Sequence, residues 1–181
     1  QQADMDFSLE NEITENEYFE MIKNKTAALI GGSFLFAGIV AGANAFNTDI
    51  LYKIGLNLGI AFQLEDDLLD CFGDQEKFGK KIGGDIIEKK KTLLYIFTNS
   101  NLVPEKKLEF ENVFNSIKIE ESEKINSIKS FYETSGASNY LKNKVKVYFN
   151  KAVQLINKLK LDGETKKKLN QFSKTLLYRE I

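Results

Sequence analysis

Histidine and tryptophan are absent from the 181 residues, and cysteine and proline occur once each. Without histidine the chain has no His general base, no Ser-His-Asp triad and no His-ligated zinc. The single cysteine, Cys71, excludes an internal disulfide and a cysteine zinc cluster, and we expect it to fill core space. This cysteine usage favours a cytoplasmic location.

A surplus of charge of one sign is also lacking, because 25 Lys and Arg nearly balance 26 Asp and Glu. The formal net charge of -1 predicts no nucleic-acid partner, so any anion site must be local. No basic segment followed by an apolar run opens the chain, and no signal peptide is expected. At 43% hydrophobic content, residues 1–181 are predicted to form a single domain.

The scarcity of proline and of turn clusters, with Leu, Ile, Lys and Glu in helical spacing, predicts an all-α chain. Thr14 and Glu17 have the spacing of a capping box, which predicts a helix start near Glu15. Asn47 or Thr48 is expected to cap the next long helix, which should stop at Gly73. Further helices are predicted near 90–99, 105–116, 121–134, 138–159 and 164–178.

The stretch between Lys25 and Asp49 has no charge and is about as long as a membrane span. Four glycines interrupt it, and it lacks an aromatic belt and a basic flank. We therefore predict no transmembrane segment, but two closely packed buried helices or one helix kinked at Gly31-Gly32. Glycines inside the next helix, Gly55 and Gly59, cost about 1 kcal/mol each relative to alanine, which predicts a close helix neighbour or a ligand.

An apolar segment from Gly59 ends in a cluster of aspartates. In a helix, Asp66 and Asp70 lie one turn apart with Asp67 beside them. Like charges at this spacing repel by a few tenths of a kcal/mol per pair, and a divalent cation would turn the repulsion into attraction. Mg²⁺ suits carboxylates, keeps several waters and completes its shell with phosphates. The segment predicts a magnesium and diphosphate site, although an exposed acidic helix end is the plain alternative.

Several motifs together resemble those of the trans-isoprenyl (polyprenyl) diphosphate synthases. Lys25-Thr26 matches the family's Lys-Thr pair, and Gln1-x-x-Asp4 matches the remainder of its Gly-Gln-x-x-Asp motif. The family's second aspartate-rich region is matched by Phe62-Gln63-x-x-Asp66-Asp67-x-x-Asp70, followed by Gly79-Lys80, Gly83-x-Asp85 and Lys90-x-Thr92. These motifs occur in the family's order. Two departures are Lys89, where the family usually has glycine, and Leu94, where it usually has proline.

The resemblance covers the whole chain but only the C-terminal part of such an enzyme. It implies an all-α, isoprenoid synthase-type helical bundle, present here as its C-terminal portion. The family's first aspartate-rich motif and its isopentenyl diphosphate-binding basic residues are expected before Gln1. The chain as given is therefore expected to carry an incomplete active site.

The resemblance implies a prenyltransferase that condenses isopentenyl diphosphate with an allylic diphosphate in a Mg²⁺-dependent reaction. It also implies a homodimer, which is common in the family. The resemblance further implies that the departing pyrophosphate accepts the proton, so that no histidine is required. A non-catalytic helical subunit that kept the fold is the alternative, whereas a terpene cyclase is disfavoured because its second metal motif normally mixes Asn, Ser or Thr with acids.

The roles that the resemblance implies fall into three groups. The metal ligands are Asp66, with Asp67 and Asp70 in the first or second shell. The residues expected to act on the reacting groups are Lys25, Thr26, Gln63 and Lys90. The residues expected to contact substrate are Gln1, Asp4, Lys25, Phe62, Lys80 or Lys81, and Lys90. Three roles stay open for Asp85: orienting a lysine, holding a water or capping a helix.

Overall fold

The computed structural model describes residues 12–74 and 82–177. Within these ranges the chain forms helices and no strand, which confirms the all-α prediction. The predicted site residues Gln1, Asp4, Lys80 and Lys81 lie outside the described residues. The elements are α1 (Glu15–Ile22), a π-helical turn (Lys23–Ala27), α2 (Ala28–Val40), α3 (Ala45–Phe72), α4 (Gly84–Ile87), α5 (Leu93–Asn101), α6 (Pro104–Asn115), α7 (Glu121–Thr134), α8 (Ala137–Lys158) and α9 (Gly163–Leu177).

The chain divides into two compact units. The first unit comprises Gln1–Tyr18 and Asp66–Lys142, and the second comprises Phe19–Glu65 and Asn143–Ile181. Helices α3 and α8 contribute residues to both units. The assignment of residues 1–181 to a single domain stays a prediction.

Helix α1 begins with the predicted capping box. The Thr14 N–H donates to Glu17 Oε2 at 2.8 Å, and the Glu17 N–H donates to Thr14 Oγ1 at 3.3 Å. Two amide groups that the helix cannot pair are thereby satisfied. The prediction of a helix start near Glu15 is confirmed.

The predicted cap of α3 is wrong. The helix begins at Ala45, and Asn44 Oδ1 accepts the Asn47 N–H at 2.9 Å, so the capping side chain is Asn44. Thr48 lies inside the helix and donates its hydroxyl to the Ala45 carbonyl at 3.0 Å. Asparagine is as strong a cap as serine or aspartate, and the polar residues Asn44, Asn47 and Thr48 lie too close together for the sequence to separate them. The helix ends at Phe72, just before Gly73, as predicted.

The five later helices agree with their predicted ranges to within three residues at each end. The largest difference is at α5, which begins at Leu93 rather than near residue 90. Helix α7 begins after Glu120, whose carboxylate accepts the N–H groups of Ser122 and Glu123. The breaks between amphipathic segments account for this agreement, and the Glu120 cap marks the start of α7.

The uncharged stretch forms α2 and the start of α3, but α2 is not buried as predicted. Leu29, Phe36 and Val40 are 76%, 67% and 88% exposed, whereas Gly31 and Gly38 are buried. The helix therefore uses its small-residue face for packing and leaves large apolar side chains outside. No helix among the described residues combines the length and apolar character needed to span a bilayer.

Close contact between α3 and the segment that contains α2 explains the two glycines inside α3. A Cβ atom at Gly55 would lie 2.7 Å from Gly31 Cα, and one at Gly59 would lie 2.5 Å from Ala27 Cα. Both distances are shorter than any normal carbon–carbon contact. The predicted close helix neighbour is confirmed within the second unit.

The core of the first unit is built around aromatic side chains from α5, α6 and α7. Phe110 is fully buried, and its ring lies 5.2 Å from that of Tyr95 and 5.4 Å from that of Phe131, measured between centroids. Tyr95 also packs against Phe114 at 4.5 Å. Rings at these separations add about 0.5–1.5 kcal/mol per pair to the burial itself. These ring contacts hold α5, α6 and α7 together.

Lys89, between α4 and α5, has a φ of 56°. Glycine, which the resembled family usually has here, adopts this left-handed conformation freely, while other residues pay about 1–2 kcal/mol. The Lys89 side chain donates to the Asn115 carbonyl at 2.8 Å. Lys89 therefore adopts the same left-handed backbone conformation that the family's glycine would adopt.

Replacing Gly59 by alanine should lower the free energy of unfolding by about 1–3 kcal/mol, because the new methyl group meets backbone that cannot move aside alone. Gly32→Ala is the matched control, since a Cβ atom there meets nothing within 4 Å. This control should raise stability by about 0.5–1 kcal/mol, the usual gain of alanine over glycine in a helix. Urea-unfolding midpoints of the two variants provide the measurement. Equal stability of Gly59→Ala and Gly32→Ala would contradict the close approach.

Replacing Lys89 by glycine should raise the free energy of unfolding by about 1 kcal/mol, because the left-handed backbone no longer carries a Cβ penalty. Lys89→Ala is the control, since it removes the same exposed hydrogen bond and keeps the penalty. Thermal unfolding followed by circular dichroism compares the two. The explanation fails if the glycine variant is no more stable than the alanine variant.

Candidate functional site

The three aspartates of α3 lie in different environments. Asp66 and Asp70 are half-buried, whereas Asp67 is only 5% exposed. The Tyr18 hydroxyl, on a side chain 1% exposed, donates to Asp67 Oδ2. One carboxylate of the predicted metal cluster is therefore held inside the first unit by a tyrosine.

Asp70 is held against the start of α4. Its Oδ2 accepts the Asp85 N–H at 3.0 Å, and its backbone carbonyl accepts the Gly83 N–H at 2.7 Å. Gly83 has a φ of 82°, and a Cβ atom there would meet the Ile125 side chain at 2.7 Å. A glycine is therefore needed where the chain turns back toward the end of α3.

Electrostatics around Asp70 favour a bound cation. Burial raises the pKa of Asp70, and the negative charges of Asp85 and Asp66 raise it further. The Asp85 N–H and the Lys90 ammonium offset part of this increase. The charged form of Asp70 is therefore less favoured here than in water. A divalent cation nearby would favour the charged form again.

Lys90 is paired with two carboxylates. Its Nζ lies 2.8 Å from Asp85 Oδ1 and 2.8 Å from Glu88 Oε2. Burial lowers the pKa of Lys90, but the hydrogen bonds that its ammonium donates to Asp85 and Glu88 outweigh this effect, and the net pKa is raised. Of the three roles considered for Asp85, orienting a lysine is the one that this geometry favours. Glu88 is a partner that sequence reasoning missed.

In the second unit, Thr26 and Gln63 hold each other. The Thr26 hydroxyl donates to Gln63 Oε1 at 2.7 Å, and both side chains are half-buried. Sequence reasoning expected the Gln63 oxygen to point at positive charge, and this oxygen already accepts the threonine proton. The pair therefore acts as one fixed polar unit.

Lys25 and Thr26 lie in the π-helical turn Lys23–Ala27. Such turns are rare and occur often at functional sites, because the extra residue shifts the side chains that follow. Nothing in the local sequence marks this turn. Lys25 is exposed, and Phe62 on α3 is half-buried.

The structure thus brings together Tyr18 with Asp67, Asp70 with Asp85 and Lys90, and Thr26 with Gln63. A common cavity for all the predicted residues stays a prediction. Tyr18 is the second partner that sequence reasoning missed, since its position marks it only as an apolar residue of α1. Its contact lies 49 residues away along the chain, where a single sequence gives no indication of pairing.

Among the described residues, no group of three or more Asp, Glu or Cys side chains is arranged to hold a metal ion alone. Mg²⁺ does not require such a cage, since one or two carboxylates, waters and phosphate oxygens complete its shell. The destabilised carboxylate at Asp70 and the oxygen donors at the end of α3 fit an ion of this kind, shared with a diphosphate.

Known proteins resemble this chain in sequence and in fold. The polyprenyl synthetase family model matches residues 1–134. A geranylgeranyl diphosphate synthase from Saccharolobus solfataricus is 47% identical over 105 residues, which are 57% of this chain and 32% of that protein.

Solved structures agree with the family match. The crystal structure of a geranylgeranyl pyrophosphate synthase superposes with a TM-score of 0.91 at 38% identity, covering 98% of this chain and 55% of the other. A polyprenyl synthase from Caulobacter crescentus, complexed with calcium and isoprenyl diphosphate, gives a TM-score of 0.88 at 26% identity, covering 99% of this chain and 54% of the other. The chain therefore spans about half the length of these solved proteins.

The match over most of the chain and the superposition over nearly all of it confirm both the predicted resemblance and the predicted fold. The chain belongs to the polyprenyl synthetase family and has the all-α isoprenoid synthase fold.

Proposed function

We propose that the protein carrying this chain is a prenyltransferase that condenses isopentenyl diphosphate with an allylic diphosphate. The observation that carries the proposal is the cluster of Asp70, Asp85 and Lys90, in which the Asp85 N–H donates to Asp70 and Lys90 donates to the Asp85 carboxylate. The carboxylates of such a cluster can bind a cation, and its lysine can bind phosphate. Similar proteins are geranylgeranyl diphosphate synthases. Because the chain spans only part of their length, the proposal concerns the natural-length protein.

The proposed reaction breaks the C–O bond of the allylic diphosphate, and pyrophosphate leaves with the bonding electrons. The double bond of isopentenyl diphosphate then attacks the allylic cation, and a C–C bond forms. The proton lost afterwards goes to the departed pyrophosphate. Ionisation is the demanding step, since charge develops on the leaving group and must be stabilised by groups fixed beforehand.

The metal side of the site is assigned to α3. Asp66 would hold Mg²⁺, with Asp67 and Asp70 acting on the ion directly or through its waters. When bound, the ion neutralises charge on the leaving pyrophosphate. The raised pKa of Asp70 supports this assignment. The related polyprenyl synthase from Caulobacter crescentus is complexed with calcium, which supports a divalent cation as the partner of a diphosphate.

The phosphate side is assigned to lysines. Lys25 and Lys90 are proposed contacts in the described residues, with Lys80 or Lys81 as a further contact. Lysine serves as a compact point charge for phosphate. Phosphate oxygens would compete with Asp85 and Glu88 for the Lys90 ammonium, so these two carboxylates keep the lysine oriented until substrate arrives.

The hydrocarbon side is assigned to Thr26, Gln63 and Phe62. The Thr26 hydroxyl oxygen, fixed by its bond to Gln63, can direct a lone pair toward the allylic cation. Phe62 offers a ring face or a wall toward isopentenyl diphosphate. None of these groups is basic enough to remove a proton, which agrees with pyrophosphate as the acceptor.

From the same resemblance we propose a homodimer in the cytoplasm. The single thiol, Cys71, is 2% exposed, and burial raises its pKa to about 12. A thiol of this kind is inert and needs no oxidising compartment. A non-catalytic subunit remains the competing function, but repulsion among clustered carboxylates would bring such a subunit no benefit.

In the natural-length protein, Asp66→Ala should lower turnover by about 100-fold or more, because charge on the leaving pyrophosphate loses a fixed partner. Incorporation of labelled isopentenyl diphosphate in the presence of Mg²⁺ is the measurement. Asp49→Ala is the control on the same helix, since Asp49 is exposed and pairs with Lys53 at 2.6 Å. Unchanged turnover of the Asp66 variant would remove the aspartate cluster from the active site.

The 181-residue chain alone should bind inorganic pyrophosphate only weakly, with a Kd of roughly millimolar in the presence of Mg²⁺, a binding free energy of about -4 kcal/mol. Isothermal titration calorimetry with and without Mg²⁺ is the measurement, and Lys90→Ala should weaken the binding further. Micromolar binding would show that these residues already form a nearly complete diphosphate site.

A further inference from the structure

We propose that Tyr18 is a positioning residue for the metal site and acts through Asp67, whose carboxylate fixes the end of α3 without contacting the ion. This inference rests on the proposed function and assigns different roles to the three aspartates. Asp66 and Asp70 are left to serve the ion and its waters.

The exposure of the three side chains carries the first step. Asp66 and Asp70 are half-buried, so solvent reaches their carboxylates. Asp67 is 5% exposed and accepts the hydroxyl proton of Tyr18, itself 1% exposed. Mg²⁺ gives up its waters reluctantly and keeps several of them when it binds to proteins. A carboxylate with almost no solvent access cannot receive such a hydrated ion without leaving its buried position.

Helix geometry gives the second step. Successive residues of an α-helix are turned by about 100°, so Asp66 lies about 40° from Asp70 and Asp67 about 60° from it on the other side. One ion can therefore be reached from Asp66 and Asp70 together more easily than from Asp66 and Asp67. The Asp67 side points toward Tyr18, within the same unit.

The energetic cost of a buried carboxylate explains why a tyrosine is needed. A charged side chain taken out of water requires a donor, and a missing donor costs about 1–3 kcal/mol or more. Without the Tyr18 hydroxyl, Asp67 would turn toward solvent. That change would shift the helix end that carries Asp66 and Asp70.

The test is a double-mutant cycle in the natural-length protein with Tyr18→Phe, Asp67→Asn and the two combined. Two quantities are measured: the Mg²⁺ concentration for half-maximal turnover, and the binding of Mn²⁺ in the presence of inorganic pyrophosphate, followed by the free-ion signal in electron paramagnetic resonance. Each single variant should weaken metal binding by about tenfold, as expected for groups that orient a ligand. The double variant should be no weaker than the more affected single variant, because both changes break the same link.

Two comparison variants separate positioning from general stability. Tyr140→Phe deletes another tyrosine–carboxylate bond of the first unit, in which the Tyr140 hydroxyl lies 2.7 Å from Glu15 Oε2. It should lower the unfolding midpoint without changing Mn²⁺ binding. Asp66→Asn, which removes a direct ligand, should weaken Mn²⁺ binding by about 100-fold or more.

Three results would overturn the inference. Tyr18→Phe with wild-type Mn²⁺ binding would show that the hydroxyl does not position the site. Asp67→Asn as damaging as Asp66→Asn would make Asp67 a direct ligand. Effects that multiply in the double variant would make the two residues independent. If the wild-type protein consumes no isopentenyl diphosphate with any allylic diphosphate, the proposed function itself fails, which differs from an active wild type with an unaffected Tyr18→Phe.

Discussion

Repulsion among carboxylates that the chain holds close together is the constraint on which the rest of the candidate site depends. Asp70 lies near Asp66 and Asp85 in a half-buried place, and its pKa is raised by burial first and by these charges second. For an acid with a raised pKa in the folded state, the stabilising contribution is present below the ordinary pKa of 3.8 and is lost as the pH rises through the folded-state value. At neutral pH the charged group therefore works against folding, and a bound cation would recover that loss.

The arrangement around Asp70 shows how the chain tolerates this cost. The Gly83 and Asp85 N–H groups both donate to Asp70, and Asp85 in turn accepts a hydrogen bond from Lys90. The turn that makes these bonds possible requires the positive φ of Gly83. The same short segment then reaches Lys89, whose left-handed backbone brings Lys90 back toward Asp85. The groups proposed to bind the metal and the phosphate are thus tied together by backbone geometry as much as by charge.

Features of the fold and of the candidate site that depend on neighbouring residues could be predicted from the sequence, whereas features that depend on tertiary contacts could not. The capping box at Thr14 and the glycines of α3 act on neighbouring backbone, and their predicted consequences are found. The exposed face of α2 was not predicted, because an uncharged segment does not reveal which side it packs. The π-helical turn and the Tyr18–Asp67 bond also escaped prediction, since each depends on elements that meet only in the folded chain. For the candidate site, residue types and spacing predict roles for the aspartates and Lys90, whereas Glu88 and the separate environments of the aspartates required the structure.

The proposed reaction does not need a histidine base. A histidine base would titrate near neutral pH and would compete with the metal for any carboxylate beside it. In the proposed reaction the leaving pyrophosphate accepts the proton, so the protein needs only groups whose charge stays fixed. Lys90 meets that need, because its pairing with Asp85 and Glu88 raises its pKa above the ordinary value of 10.5 despite burial. A site of carboxylates and lysines can therefore stabilise a separating ion pair without exchanging a proton with it, and the chemistry leaves no role for the residue that the sequence lacks.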